Sequence, residues 1–332
     1  MKIAFFSTKP YDRKFFDEAN TDCGHEITYF ETRLTRQTLK LAEGHECACA
    51  FVNDQLDASV LIALAAQGTR LVALRCAGFN NVDIHSAKEL GISVVRVPAY
   101  SPHAVAEHTV GLMLALNRKI YWANSRVREG NFSLDGLLGF DMRSRTVGLV
   151  GTGKIGECVA SILHGFGCRI LACDKHINPV CVQEYGVEYV SQNDLFIQSD
   201  IISLHCPLFT ETYHLVNMEA IAKMKKGVMI INTSRGALID ARAAIEGLKS
   251  ERIGYLGIDV YEEEEELFFE DKTFQILTDD VFARLTTFPN VVITGHQAYF
   301  TQEAVARIAQ TTLENISAYE NGLELVNAVK AD

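Results

Sequence analysis

A glycine-rich turn between a predicted strand and a predicted helix constrains the fold of this chain most. Thr146–Val150 is an apolar run typical of a buried strand, and residues 154–166 have helical periodicity. Between them, Gly151, Gly153 and Gly156 form the pattern G-x-G-x-x-G. The first glycine permits a tight bend, the second lets the backbone approach a pyrophosphate, and the third lets the helix pack closely on the strand. The turn therefore predicts a dinucleotide site at a helix N-terminus.

An acidic residue at the end of the next predicted strand identifies the dinucleotide. Asp174 follows Arg169–Cys173 and lies 18 residues after Gly156, close to the spacing of a ribose-binding acid. A carboxylate there accepts hydrogen bonds from both ribose hydroxyls and repels a 2′-phosphate, so we expect NAD rather than NADP. The residues predicted to contact the cofactor at this turn are Gly151, Gly153, Lys154, Ile155, Gly156 and Asp174.

Apolar runs and helical patterns alternate along the whole chain, which predicts two α/β domains with doubly wound parallel sheets. In the first hundred residues we expect strands at 2–7, 26–31, 47–52, 71–76 and 93–97. A second series is expected at 146–150, 169–173, 200–205, 228–232, 255–259 and 291–294. Because six strands complete that sheet, the last helical pattern, Gln302–Glu320, is expected to return to the first domain. The predicted domains are a flavodoxin-like substrate domain, 1–100 plus 299–332, and a Rossmann NAD domain, 101–298.

Composition limits the partners and the compartment. The net charge of −11 argues against nucleic acid or an anionic membrane as the main partner. No apolar run reaches the roughly 18 residues of a membrane span, and the first apolar stretch is too short for a signal peptide. The nine cysteines are scattered without the paired spacing of a zinc site, so we expect reduced thiols, no metal site and a cytoplasmic location.

The predicted strand ends of the second domain carry the residues that hydride transfer to a 2-oxo acid requires. Ligands of open parallel sheets bind outside the carboxyl ends of the strands. Arg235 follows one strand and can hold a carboxylate with its planar fork, and His296 follows another and can protonate a developing alkoxide. A carboxylate beside the histidine would favour its charged form. Five consecutive glutamates, 262–266, are available, and composition does not select one; a purely solvated charge run is the alternative reading.

Several segments together resemble the D-isomer-specific 2-hydroxyacid dehydrogenases over essentially the whole chain. They are the glycine turn and residues 232–236, 257–261 and 295–297. Residues 76–83, 97–101 and 267–271 resemble the bacterial fermentative D-lactate dehydrogenases within that family in particular.

The resemblance implies a role for each matching residue. Arg235 would anchor the substrate carboxylate, His296 would be the acid/base, and the family offset of five from Asp259 selects Glu264 as its partner. Asp259 would hold the nicotinamide carboxamide. The other implied cofactor contacts are Cys206, Pro207, Thr212, Thr233, Ser234 and Arg235. The implied substrate contacts are Phe51, Ala77, Gly78, Tyr100, Arg235, His296 and Tyr299.

The implied function is an oxidoreductase of fermentation, an NAD-dependent D-lactate dehydrogenase that reduces pyruvate reversibly. One alternative is the same chemistry on a bulkier or different 2-oxo acid, such as phenylpyruvate, 2-oxoisocaproate or hydroxypyruvate. Another, from a different class, is an NADH-sensing scaffold similar to a transcriptional corepressor. The expected partners are a small 2-oxo or 2-hydroxy acid and further copies of the chain, in a homodimer or homotetramer.

Overall fold

The structure, a computed structural model, describes residues 1–264 and 267–330 and divides the chain into two compact units. Unit 1 comprises Met1–Ser101 and the chain from Phe300 onward, and unit 2 comprises Pro102–Tyr299. The boundaries predicted from the sequence, at 100/101 and 298/299, each fall one residue earlier.

Strands and helices alternate in both units. The strands are β1 (Lys2–Phe5), β2 (Glu26–Tyr29), β3 (Cys47–Ala50), β4 (Leu71–Leu74), β5 (Ser93–Val95), β6 (Thr146–Val150), β7 (Arg169–Cys173), β8 (Glu188–Tyr189), β9 (Ile201–Leu204), β10 (Val228–Asn232), β11 (Ile253–Ile258) and β12 (Val291–Ile293). The α-helices are α1 (Pro10–Asn20), α2 (Ala58–Ala66), α3 (Ile84–Glu89), α4 (Pro102–Arg118), α5 (Ile120–Arg128), α6 (Lys154–Gly165), α7 (Pro179–Tyr185), α8 (Gln192–Gln198), α9 (Met218–Lys223), α10 (Ala241–Lys249), α11 (Asp280–Thr286) and α12 (Gln302–Glu320). Among the described residues, short 3₁₀ helices lie at Leu39–Ala42 and Gly236–Leu238.

Each unit contains one parallel sheet. In unit 1 the strand order is β2-β1-β3-β4-β5, which is the flavodoxin-like order. In unit 2 the order is β12-β11-β10-β9-β6-β7-β8, a Rossmann arrangement with one extra strand at the edge. The order reverses between β6 and β9, which are hydrogen-bonded neighbours. A ligand of such a sheet binds beyond the carboxyl ends of these two strands.

Alternating residues of the unit 2 strands pack on opposite faces of the sheet. Met229 and Ile231 belong to a buried cluster with residues of α4 and α6, whereas Val228 and Ile230 belong to another with residues of α8, α9 and α10. Strands covered on both faces are buried at every position, as β6, β9 and β10 are here. The fold class expected from the sequence, two doubly wound α/β domains, is confirmed.

One detail of the fold differs from the sequence-based expectation. Strand β8 was not predicted, and it makes the unit 2 sheet seven-stranded instead of six-stranded. It has only two residues, Glu188 and Tyr189, so it carries no period-2 pattern that a sequence could reveal.

The C-terminal helix α12 packs against α1 and β4 within unit 1.

Within the described residues, no helix is both long enough and apolar enough to span a membrane.

Candidate active site

The glycine turn joins β6 to α6 beside the carboxyl end of β9. Gly151 has a φ of +99°, a left-handed conformation that favours glycine. A Cβ there would lie 2.7 Å from the carbonyl carbon of His205, and a Cβ at Gly156 would overlap the carbonyl oxygen of Gly151. The first glycine therefore lets the carboxyl ends of β6 and β9 approach each other, and the third lets α6 pack directly against the turn.

Gly153 differs from the other two because a Cβ there would meet no atom within 4 Å. It directly precedes α6, and among the described side chains none caps this helix. The open space therefore lies over the unpaired N–H groups and the positive dipole end of a 12-residue helix. A pyrophosphate fits such a cradle without displacing any part of the chain.

Asp174 presents an ionised carboxylate at the end of β7. One oxygen accepts hydrogen bonds from the N–H and hydroxyl of Thr152, at 2.6 and 3.1 Å, and the other accepts from the N–H of His176 at 3.0 Å. Partial burial raises the pKa of Asp174, but these hydrogen bonds outweigh it, so the pKa lies below its usual value. The side chain is exposed and charged at neutral pH, as a ribose-binding acid requires.

The other predicted cofactor residues lie at neighbouring strand exits. The carbonyl of Cys206, after β9, accepts a hydrogen bond of 2.7 Å from the hydroxyl of Ser234, after β10. The hydroxyl of Thr212 donates to the carbonyl of Pro207 at 2.8 Å. Thr233 is buried and hydrogen-bonded to a threonine of α4. Burial raises the pKa of the Cys206 thiol to about 11, so it remains a neutral, small side chain in this wall.

Arg235 lies in a tight turn that follows β10 and directly precedes the 3₁₀ helix Gly236–Leu238. The side chain of Asn232 closes that turn, donating to the Arg235 carbonyl at 2.8 Å and accepting from the N–H of Ser234 at 3.0 Å. One guanidinium nitrogen, Nη1, donates to the Ser234 carbonyl at 2.7 Å. The half-buried side chain is therefore held at one nitrogen, and its other donors can bind a planar carboxylate.

His296 and Glu264 form a hydrogen-bonded pair beyond β11 and β12. The distance between His296 Nδ1 and Glu264 Oε1 is 2.8 Å, and both side chains are about one-fifth exposed, at 23% and 21%. The other glutamate oxygen accepts from the backbone N–H of Tyr261 at 2.9 Å. No described residue has a hydrogen bond to Nε2 of His296. The pair thus fixes the ring and leaves its outer nitrogen for a substrate.

The backbone of His296 is itself held by Asp259. His296 has a φ of +54°, and its N–H donates to the Asp259 carbonyl at 2.7 Å. The Asp259 carboxylate is fully buried and accepts from Thr294 Oγ1 at 2.5 Å and from the N–H groups of Gln297 and Ala298 at 2.9 and 2.8 Å. The Asp259 carboxylate and carbonyl thus hold the turn that carries His296.

The glutamate run is not a uniformly solvated stretch. Glu262 pairs with His214 Nε2 at 2.6 Å, Glu263 is exposed, and Glu264 pairs with His296. Residues 265 and 266 lie outside the described part of the chain. The structure therefore distinguishes three of the five glutamates that composition alone left equivalent.

The predicted substrate residues of unit 1 lie beyond the carboxyl ends of its strands. Phe51 directly follows β3, and the Arg75 guanidinium carbon lies 4.7 Å from the centre of its ring. Ala77 and Gly78 follow β4; among the described residues, no acceptor takes either backbone N–H. Tyr100 follows β5. The two N–H groups can therefore bind an anion.

Two aromatic rings flank His296 within unit 2. The Tyr299 ring meets it edge-on at 6.4 Å between centroids, and the Phe269 ring lies 5.5 Å away. Tyr299 is a predicted substrate residue that the structure brings to the histidine. Phe269 was not predicted individually, although it lies in the matching segment 267–271.

Comparisons with known proteins identify the relatives of this chain. Residues 110–298 match the family model described as "D-isomer specific 2-hydroxyacid dehydrogenase, NAD binding domain". The chain is 56% identical to a 2-hydroxyacid dehydrogenase homolog of Haemophilus influenzae, over 99% of each chain. It is 55% identical to the D-lactate dehydrogenase of Escherichia coli, over 97% of this chain and 98% of that one. The apo structure of the E. coli D-lactate dehydrogenase matches with a TM-score of 0.92 at 52% identity, covering 99% of this chain and 100% of that one.

This chain belongs to the D-isomer-specific 2-hydroxyacid dehydrogenase family. The family predicted from the sequence is confirmed, and so are an enzymatic function, the Rossmann domain and NAD as the cofactor. The sensing scaffold that shares this fold is therefore not retained as a function of this dehydrogenase.

Two histidines near the dehydrogenase site were not predicted as site residues from the sequence. His108 of α4 lies 3.1 Å from Thr294 Oγ1 and 3.5 Å from the Asp259 carboxylate, and its pKa is lowered by burial against the opposing effect of Asp259. His214 pairs with Glu262. Both partners are distant in sequence, so spacing along the chain gave no signal for either contact.

Proposed function

We propose that this dehydrogenase catalyses the reversible reduction of pyruvate by NADH and a proton to D-lactate and NAD⁺. The observation that carries the proposal is the 2.8 Å pair of His296 and Glu264, in the same unit and sheet as the Arg235 turn and the dinucleotide cradle. An acid/base group, an anion anchor and a cofactor site are the parts that this reaction needs.

Arg235 binds the pyruvate carboxylate and orients the carbonyl. Its guanidinium has two parallel donors to offer a carboxylate, since only Nη1 has a described protein partner. The family resemblance assigns Phe51, Ala77, Gly78, Tyr100 and Tyr299 to the substrate as well. These contacts hold the carbonyl carbon in one orientation, so that one face is reduced.

His296 supplies the proton to the carbonyl oxygen. Bound NADH supplies the hydride that reduces the carbonyl carbon. The imidazolium donates from Nε2 while Glu264 accepts from Nδ1–H, so the glutamate stabilises the charged ring before transfer and keeps its orientation afterwards. In the reverse direction, the neutral ring accepts the proton of the 2-hydroxyl group.

The cofactor is held by residues of unit 2. Gly151, Gly153, Lys154, Ile155 and Gly156 surround the pyrophosphate, and Asp174 accepts from the adenosine ribose. Asp259 is assigned to the nicotinamide carboxamide. The walls along the cofactor are Cys206, Pro207, Thr212, Thr233, Ser234 and Arg235.

Pyruvate is favoured over larger 2-oxo acids by the similarity to a D-lactate dehydrogenase at 55% identity over almost the whole chain. Phenylpyruvate, 2-oxoisocaproate and hydroxypyruvate are the competing substrates of the same chemistry.

The proposal is tested by mixing the purified protein with NADH and pyruvate and assaying the product with reagents specific for each lactate enantiomer. We expect rapid oxidation of NADH and formation of D-lactate alone. Binding of NADH without turnover, or formation of L-lactate, would overturn the proposal.

A further inference from the structure

A second histidine–glutamate pair lies beside the proposed catalytic one. His214 Nε2 is 2.6 Å from Glu262 Oε1, and the side chains are 27% and 21% exposed. The ring of Tyr213 stacks on His214 at 4.0 Å with an angle of 19°, and its hydroxyl donates to the same glutamate oxygen at 3.2 Å. Glu262 thus receives two donors, and the rings of those two donors stack on each other, unlike an ordinary surface ion pair.

The backbone of His214 is tied to the turn that carries Arg235. Its N–H donates to the Ala237 carbonyl at 2.8 Å, and the N–H of Val216 donates to the Leu238 carbonyl at 3.0 Å. His214 has a φ of +50°, so these hydrogen bonds and its side-chain pair hold it in the left-handed region. The segment therefore runs alongside the residues that follow Arg235.

The loop that carries Glu264 packs against the same turn. A Cβ at Gly236 would overlap the carbonyl group of Tyr261 and the nitrogen of Glu262, so the two backbones are in direct contact. The N–H of Tyr261 in turn holds one oxygen of Glu264. A shift of this loop would therefore move Glu264 away from His296.

We propose that His214 and Glu262 are positioning residues whose contact fixes the conformation of the loop, so that Glu264 faces His296. We call the His214–Glu262 contact the clasp. Consecutive glutamates repel one another and offer several candidates for one histidine. Because His214 binds Glu262, that glutamate is not available to pair with His296. The same contact holds the loop at the residue next to Tyr261. This inference rests on the proposed roles of His296 and Glu264.

The test compares two substitutions at His214, each made in the wild-type protein and in the Glu264→Gln variant. His214→Asn tolerates the left-handed backbone but is too short to reach Glu262, whereas His214→Gln is long enough to donate to it. We expect His214→Asn to lower kcat for pyruvate about tenfold with NADH affinity nearly unchanged, and His214→Gln to restore most of the loss. In a Glu264→Gln background, His214→Asn should add less than about twofold, because the clasp acts through Glu264.

The control is Glu219→Gln, which removes an exposed ion pair of 2.9 Å with Lys223 in the same unit and should leave kcat unchanged. If His214→Asn does not fold, as judged by thermal melting, Glu262→Ala replaces it in the same cycle. Equal losses for His214→Asn and His214→Gln, no loss, or full additivity with Glu264→Gln would overturn the clasp and leave the proposed function intact. An unchanged kcat in Glu264→Gln alone would instead overturn the role of Glu264, and the clasp with it.

Discussion

His296 and His214 each bind a glutamate of the same loop, at 2.8 and 2.6 Å, and each has a left-handed φ, of +54° and +50°. The two pairs differ in which ring nitrogen of the histidine contacts the glutamate. Glu264 binds Nδ1 of His296, whereas Glu262 binds Nε2 of His214. The outer nitrogen therefore remains for a substrate in the first pair and is used by the protein in the second.

The surroundings of the two pairs differ as well. His296 follows β12 and is held by Asp259 at the end of β11, where a parallel sheet presents its ligand site. His214 lies in a connection after β9 and is covered by the stacked ring of Tyr213. A histidine–glutamate pair is therefore not by itself an acid/base site; its place at the sheet edge and its available nitrogen decide the role.

The largest effect should come from removing the first imidazole. His296→Asn suits the left-handed backbone but eliminates the proton donor, so we expect kcat for pyruvate to fall by roughly 10²–10⁴-fold. NADH affinity, measured by fluorescence titration, should stay nearly intact. A comparable loss in His214→Asn would erase the distinction between the two pairs.

Arg235→Lys should produce the next largest loss. Lysine keeps the charge but not the planar fork, so we expect about 2–4 kcal/mol less transition-state stabilisation, measured as kcat/KM for pyruvate. Wild-type kcat/KM in this variant would count against Arg235 as the carboxylate anchor.

Glu264→Gln and Glu262→Gln test the two glutamates directly. Glutamine removes the charge that stabilises the His296 imidazolium, so Glu264→Gln should lower kcat about ten- to a hundredfold, and Glu262→Gln should lower it less. Steady-state kinetics with pyruvate measures both. The reverse ranking would mean that the wrong glutamate has been assigned.

Asp174→Ala should leave the chemistry of both pairs unchanged and alter only the cofactor. Without the carboxylate the 2′-phosphate is no longer repelled, so the ratio of kcat/KM for NADPH to that for NADH should rise by about tenfold. Measurement with both cofactors at saturating pyruvate checks this. An unchanged ratio would refute the ribose role of Asp174.

Elements with a strong local pattern were predictable from the sequence. The apolar runs of β6 and β10 and the glycine turn identify the cofactor domain, because strand burial and the bend at Gly151 are local requirements. Strand β8 was missed because two residues, Glu188 and Tyr189, contain no periodicity.

Partners brought together by the fold were less predictable. Arg235 and His296 could be proposed because parallel strands end at one edge, but Glu264 needed the family resemblance to be separated from its neighbours. The burial of Asp259 and its hydrogen bonds to the His296 turn depend on contacts between β11 and the residues after β12. His214 and Phe269 contact the site through side-chain packing that no spacing rule encodes.

The most direct test of the proposed substrate is the ratio of kcat/KM for pyruvate to that for phenylpyruvate, measured with NADH under identical conditions. The proposed reduction of pyruvate to D-lactate predicts a higher value for pyruvate. A tenfold preference for phenylpyruvate would contradict the assignment to D-lactate, while leaving the family and the chemistry of His296 in place.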